Sequence, residues 1–107
     1  MDTFGPSFFE QERKQIEQNR LDHGIRPGAN LKGANLAGLL LQESDLRGAD
    51  LSGADLSGCI LNEAILDGAD LSEANISKAY LRNATLKGAK LDGARLEETE
   101  LNDADLS

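Results

Sequence analysis

The stretches 29-ANLKGANLAG-38 and 49-ADLSGADLSG-58 decide how this chain folds, because the same five-residue unit runs through most of its length. Every fifth residue from Leu31 to Leu106 is Leu, with Ile76 the single exception, so sixteen aliphatic positions stand in unbroken register. Two residues before each lies a second column, Ala at twelve of the sixteen, interrupted by Leu39, Ser44, Cys59 and Thr99. Two residues after, Gly recurs at 33, 38, 48, 53, 58, 68, 88 and 93. The consensus unit is Ala-(Asp/Asn)-Leu-X-Gly, and self-similarity at a fixed period is the signature of a solenoid.

A period of five excludes the ordinary elements. On an α-helix each step of five advances about 140° beyond a full turn, which would wind the Leu column around the whole surface. On a continuous strand an odd step sends successive Leu residues to opposite faces. All sixteen face one core only if the chain turns a corner in every unit, which Gly and Asn/Asp allow through backbone freedom and local hydrogen bonds. Four such corners close a square of 20 residues, so residues 29–107 are expected to form about four coils.

The units ANLKG, ANLAG, ADLSG (twice) and AKLDG resemble the pentapeptide-repeat family over residues 29–107. The resemblance implies an all-β solenoid, the right-handed quadrilateral β-helix. Residues 1–28 break the period and are read as an N-terminal α-helical cap and linker. Ser7 and Glu10 have the spacing of a capping box. The stretch from Phe8 to about Leu21 is rich in good helix formers, with Phe9, Ile16 and Leu21 near one side. Gly24 is positioned to end the helix with Ile25 packing back, and Pro27 prevents continuation. This helix is expected to act as a lid on the first coil or as a free recognition helix.

A 20-residue coil assigns each outward residue before Leu to one of four sides. The first side shows Asn30, Asp50, Asp70 and Lys90; the second Asn35, Asp55, Asn75 and Arg95; the third Leu40, Ile60, Tyr80 and Glu100; the fourth Asp45, Ile65, Thr85 and Asp105. Leu40, Ile60 and Tyr80, with Ile65 nearby, form an apolar stripe. It is either a cross-coil ladder, a dock for the N-terminal helix, or a protein-binding patch. At the other end no cap follows the repeats. Leu91, Leu96, Leu101 and Leu106 would face an open edge that is protected by surrounding carboxylates or stacked on another chain. A homodimer, end-to-end stacking through the C-terminal coil, or a separately encoded second half of a longer repeat protein would each answer that edge.

The net charge of −8, from 19 acidic and 11 basic residues, argues against direct nucleic-acid binding, which relies on Lys and Arg. It permits a basic partner or a protein that normally holds DNA. The resemblance adds that some pentapeptide-repeat proteins mimic DNA and bind DNA gyrase, for which Asp50, Asp55 and Asp70 are the candidate acidic residues. Lys78, Arg82, Lys87, Lys90 and Arg95 interrupt that field.

No run of apolar residues is long enough to cross a membrane, and Met1–Phe9 lacks the pattern of a secretory signal, so a cytoplasmic setting is expected. Cys59 is the lone cysteine and sits at an inward position, where an inert buried thiol is expected. His23 is the lone histidine, at the expected helix C-terminus, where it interacts favourably with the dipole. No catalytic, metal-ligating or cofactor-binding constellation appears. The expected function is therefore a non-enzymatic interaction or scaffolding module with an unassigned protein partner, the alternative being a DNA-mimicking topoisomerase binder.

Overall fold

The structure is a computed structural model that describes residues 7–107. Residues 1–6 of the N-terminal segment, and with them most of the Met1–Phe9 stretch, lie outside the described residues. One helix, α1 (Phe8–His23), precedes the repeats. The Ser7 hydroxyl accepts from the Glu10 amide at 3.2 Å, satisfying one of the donors that a helix start leaves free. Gly24 takes the left-handed conformation at φ 63°, which lets its N–H reach the Leu21 carbonyl while Ile25 N–H reaches that of Arg20. This pair of bonds is a Schellman motif, and it turns the chain off α1 with Ile25 packed against the core.

From residue 28 onward a left-handed backbone conformation recurs every five residues, from Gly28 to Asp103. Gly holds nine of these sixteen corners; Glu43, Glu63, Glu73, Lys78, Asn83, Glu98 and Asp103 hold the rest. Within each corner an Ala-type amide donates to the preceding Leu carbonyl, as Ala54 N–H does to Leu51 at 3.0 Å. So frequent a corner leaves each side one paired residue. The β pairing therefore consists of single-residue bridges, and among the described residues no longer strand forms.

Each bridge is parallel and joins residues 20 apart: Asn30 to Asp50 to Asp70 to Lys90 on the first side, and likewise for the second, third and fourth. The four columns read from the sequence are the four bridged series. Around each bridge three bonds repeat. Leu31 N–H donates to Asp50 O at 2.8 Å, Gly33 N–H to Ser52 O at 2.9 Å, and Asp50 N–H to Ala29 O at 2.9 Å.

The Leu/Ile column fills the interior. Leu36 through Leu81 are essentially inaccessible, and Ala49, Ala54, Ala69, Ala74, Ala79 and Ala84 pack beside them. A small residue is needed there because the Cβ points into the same narrow core as Leu. Burying one such Leu contributes about 1.5–3 kcal/mol.

The corner conformation supplies a test of the fold. A Cβ built on Gly58 meets nothing within 4 Å, so its cost is conformational alone. Gly58→Ala is expected to destabilise by about 1–2 kcal/mol, whereas Lys78→Gly, at a corner with φ 60°, should stabilise by up to about 1 kcal/mol. Chemical denaturation of both variants measures the two opposite signs.

Candidate interaction surfaces

The residue before each Leu does local work when it is Asp or Asn. Its side-chain oxygen accepts the amide two residues on, an Asx turn that fixes the approach to the corner. Asp50 accepts both the amide and the hydroxyl of Ser52, at 3.0 and 2.6 Å, and Asp55 does the same with Ser57. Asp70 and Asn75 accept from Ser72 and Ser77. The serine hydroxyls, followed by the backbone amides, hold the Asp50, Asp55 and Asp70 carboxyls below their usual range. The acidic column is therefore engaged in holding the turns. It also ends in cations, since Asp70 is bridged to Lys90 and Asn75 to Arg95.

Where the preceding residue is apolar, that turn cannot form. Leu40, Ile60 and Tyr80 stand in one bridged column, and Ile65 stands in the next, between Asp45 and Thr85. Tyr80 is 39% exposed and the other three are half-buried. For Tyr80 and Thr85 the lost bonds are replaced from one coil back: Asn62 and Asp67 side chains accept from the Arg82 and Lys87 amides at 3.0 Å. The amides of Gln42, Asn62 and Asp67 find no protein acceptor among the described residues. Behind the stripe, Leu39 is half-buried and Cys59 fully buried. Burial pushes the Cys59 thiol up to about 12, which leaves it protonated and unreactive at neutral pH.

α1 meets the repeats through polar side chains. Asn19 Nδ2 donates to Leu40 O at 3.0 Å, and Arg20 donates from Nη2 to Gln42 O at 2.7 Å and from Nε to Ser44 Oγ at 3.1 Å. Gln42 Nε2 adds a bond to Glu12 at 2.8 Å. Of the apolar side expected of this helix, Ile16 alone is half-buried, facing the Gln42–Glu43 corner, whereas Phe9 is 74% and Leu21 78% exposed and the one fully buried residue is the polar Asn19. The reason is that the rim of the first coil offers α1 unpaired carbonyls, which attract donors and not hydrocarbon. Ser44, a hydroxyl in the Ala column, is the anchor that accepts from Arg20. The polarity of that column was the signal, because a buried hydroxyl needs a partner. No hydrogen bond from α1 reaches Ile60 or Tyr80 among the described residues. An open cleft of about 420 Å³ between α1 and the Gln42–Glu43 corner is lined by the apolar Phe9 and Ile16 and by the charged Glu12, Arg13, Glu17 and Arg20.

At the far end the core opens. Leu91 and Leu101 are partly buried, and Leu96 and Leu106 are 39% and 51% exposed. Seven N–H groups there, of Leu91, Gly93, Leu96, Glu98, Leu101, Asp103 and Leu106, lack a protein acceptor among the described residues. Thr99 is satisfied by donating its hydroxyl to Ile76 O at 2.7 Å. The expected open edge is thus a row of donors as well as of leucines.

Among the described residues no three His, Cys, Asp or Glu side chains are grouped so as to hold a metal ion, and no helix is long and apolar enough to cross a membrane. The sequence profile of the Pentapeptide repeats family matches residues 28–62, 49–88 and 79–107, in eight copies. The chain belongs to the pentapeptide repeat family. Its fold is accordingly that family's right-handed β-helix, and pentapeptide repeat proteins are in general non-enzymatic structural or interaction modules. Among solved structures, the chain is similar to a pentapeptide repeat protein of the Arabidopsis thaliana thylakoid lumen, with 34% identity, 72% of this chain and 64% of that one covered, and a TM-score of 0.47. It is also similar to HetL, involved in heterocyst differentiation regulation in Nostoc sp. strain PCC 7120, with 36% identity, 73% and 51% coverage, and a TM-score of 0.44. A further pentapeptide repeat protein from Nostoc PCC 7120 is 31% identical over 89% of this chain and 94% of that one, with a TM-score of 0.44. The chain spans less than two thirds of the length of the first two. No curated protein sequence matches it.

The carboxylates give a pH test. Their folded pKa values lie below the unfolded ones, so their contribution is present above the unfolded value of about 3.9 and is lost as pH falls through the folded values. Replacing Asp50, Asp55 and Asp70 together by Asn keeps the Asx turns. Thermal melts between neutral and strongly acidic pH should then show a shallower acid loss than in the wild type.

Proposed function

We propose that this chain is a non-enzymatic interaction scaffold of four coils, capped at one end by α1, whose third side binds a protein partner through Leu40, Ile60 and Tyr80 with Ile65 beside them. The observation that carries the reading is the loss of turn bonds along that stripe. On the first and second sides Asn or Asp fixes the corner in three successive coils. At Leu40 and Ile60 an apolar residue stands instead, and the amide two residues on goes without a protein acceptor. A net hydrogen bond contributes about 0.5–1.5 kcal/mol, so the stripe forgoes a local stabilising device while exposing apolar surface. Aligned apolar surface with an exposed tyrosine is the chemistry of a protein-binding patch. The cross-coil contacts of the stripe return part of what the missing turns lose.

The alternative, a DNA mimic for a topoisomerase, is less well supported. It needs an unbroken acidic face, but Asp50, Asp55 and Asp70 are bonded to their own serines and the columns below them end in Lys90 and Arg95.

Ile60→Asp separates the structural and functional roles of the stripe, because Asp can rebuild the Asx turn at Asn62. The variant is expected to keep the wild-type circular dichroism spectrum and melt within about 1 kcal/mol of it, and to lose partners that the wild-type chain retains from native extract. An unfolded variant would assign the stripe to the core; an unchanged set of partners would remove it as the binding site. DNA gyrase supercoiling assayed with the wild-type chain is expected to proceed without inhibition.

A further inference from the structure

The four corners of the coil are not alike. The corner that follows the fourth side is Gly28, Gly48, Gly68 and Gly88, and glycine recurs at the corners after the first and second sides. The corner between the third and fourth sides holds no glycine. Glu43, Glu63, Asn83 and Asp103 occupy it at φ between 59° and 62°, and all four are exposed. Glycine would adopt that backbone with less strain. Among the described residues the Glu43 and Glu63 carboxylates make no hydrogen bond or ion pair. They nevertheless stand in successive coils, about 4.8 Å apart along the stack, where like charges repel.

This column adjoins the apolar stripe. Each coil passes from the stripe to the corner within four residues, as 40-LLQE-43, 60-ILNE-63 and 80-YLRN-83. In the first two coils this surface carries an apolar residue, an amide and a carboxylate, and no cation. Arg82, and Lys78 at the corner before it, enter only in the third. Glu43 also lines the cleft under α1, so the acidic column runs on into Glu12 and Glu17, with Ile16 half-buried beside them. Of the two arginines there, Arg20 is bonded to Gln42 O and Ser44 Oγ, which leaves Arg13. The carboxylates alone would be a solvated surface. Set beside aligned apolar side chains, they call for a partner that is apolar and basic together.

The spacing of the stripe selects the shape of that partner. Leu40, Ile60 and Tyr80 follow one another at the bridge spacing, about 4.8 Å. An α-helix laid along the stack repeats every turn, about 5.4 Å, and drifts only about 1.2 Å over the two steps. A strand laid the same way repeats on one face at about 6.7 Å and drifts about 4 Å.

We propose that the third side and its corner bind a basic amphipathic α-helix of a protein partner. Its apolar residues at i, i+4 and i+7 lie on Leu40, Ile60 and Tyr80, and its Lys or Arg side chains lie beside Glu43 and Glu63. The inference rests on the third-side reading and adds the chemistry of what binds there.

The probe is a display library of helix-forming peptides of about four turns, selected on the wild-type chain. Counter-selection uses Ile60→Asn, which can rebuild the turn at Asn62 without adding charge, and separately Tyr80→Ala, at the exposed member of the stripe. Surviving peptides are expected to carry apolar residues at i, i+4 and i+7 with Lys or Arg along one flank, and to gain helical circular dichroism on binding. For such a peptide, Glu43→Gln/Glu63→Gln should weaken affinity roughly fivefold at low salt and less at high salt. Asp50→Asn/Asp55→Asn, which removes as much charge from the first and second sides, should leave it unchanged. Survivors without a basic flank, survivors that gain no helicity, or equal effects of the two charge pairs would overturn the inference and leave the stripe as the binding site. A library in which no binder depends on Ile60 or Tyr80 would overturn the stripe reading and this one with it. Growth in mass of the chain alone with concentration, abolished by Ile60→Asn, would give the surface to a second copy and overturn the inference too.

Discussion

The structure depends on the backbone hydrogen bond between residues in neighbouring coils, repeated at a register of 20. That register exists only because the chain turns every five residues into a left-handed conformation, and the turn is open to few residue types without strain. Corners, bridges and core are thus one constraint seen three times. Leu31 faces inward because residue 33 turns; Asp50 lies beside Asn30 because four such turns close the coil; and the column before Leu must be small because four sides converge on one narrow core. Each coil is stabilised by its neighbours alone, so the stack behaves as a quasi-one-dimensional system whose ends decide much of its behaviour.

Those ends are unlike because the bridges are parallel. A parallel stack sends more amides in one direction than carbonyls, so no single kind of cap suits both. At the N-terminal end the solution is chemical imitation, with an amide and a guanidinium occupying the positions of backbone donors above Leu40 and Gln42. At the C-terminal end the leucines and amides of residues 91–106 remain open.

Most of the solenoid was legible in the sequence because a period of five leaves one arrangement in which every Leu is inside. The assignment of outward residues to sides followed from the same arithmetic and matches the bridged columns. Two things were not legible. The first was how α1 docks: an apolar face was read from Phe9, Ile16 and Leu21, yet the rim of the coil presents carbonyls, and Asn19, Arg20 and Ser44 answer them. A side-chain donor that meets a backbone acceptor 21 residues away leaves no periodic trace; the hydroxyl of Ser44 among alanines was the one local sign. The second was the use of the aspartates. Their column reads as a negative surface, and only the geometry shows Asp50 and Asp55 bonded to the serines two residues on. The apolar stripe at Leu40, Ile60 and Tyr80 was legible as a departure from the repeat, but the turn bonds forgone at Gln42 and Asn62 are visible only in the structure.

Inter-coil bonds hold every coil except at the last edge. Amide hydrogen exchange of the dilute wild-type chain measures this directly. Strong protection is predicted for the amides of Leu31 through Leu86 that bond across coils, strongest in the middle of the stack, and exchange near the unfolded rate for those of Leu91, Leu96, Leu101 and Leu106. Equal protection of Leu101 and Leu81 would contradict the account, because it would mean that the final edge is already paired.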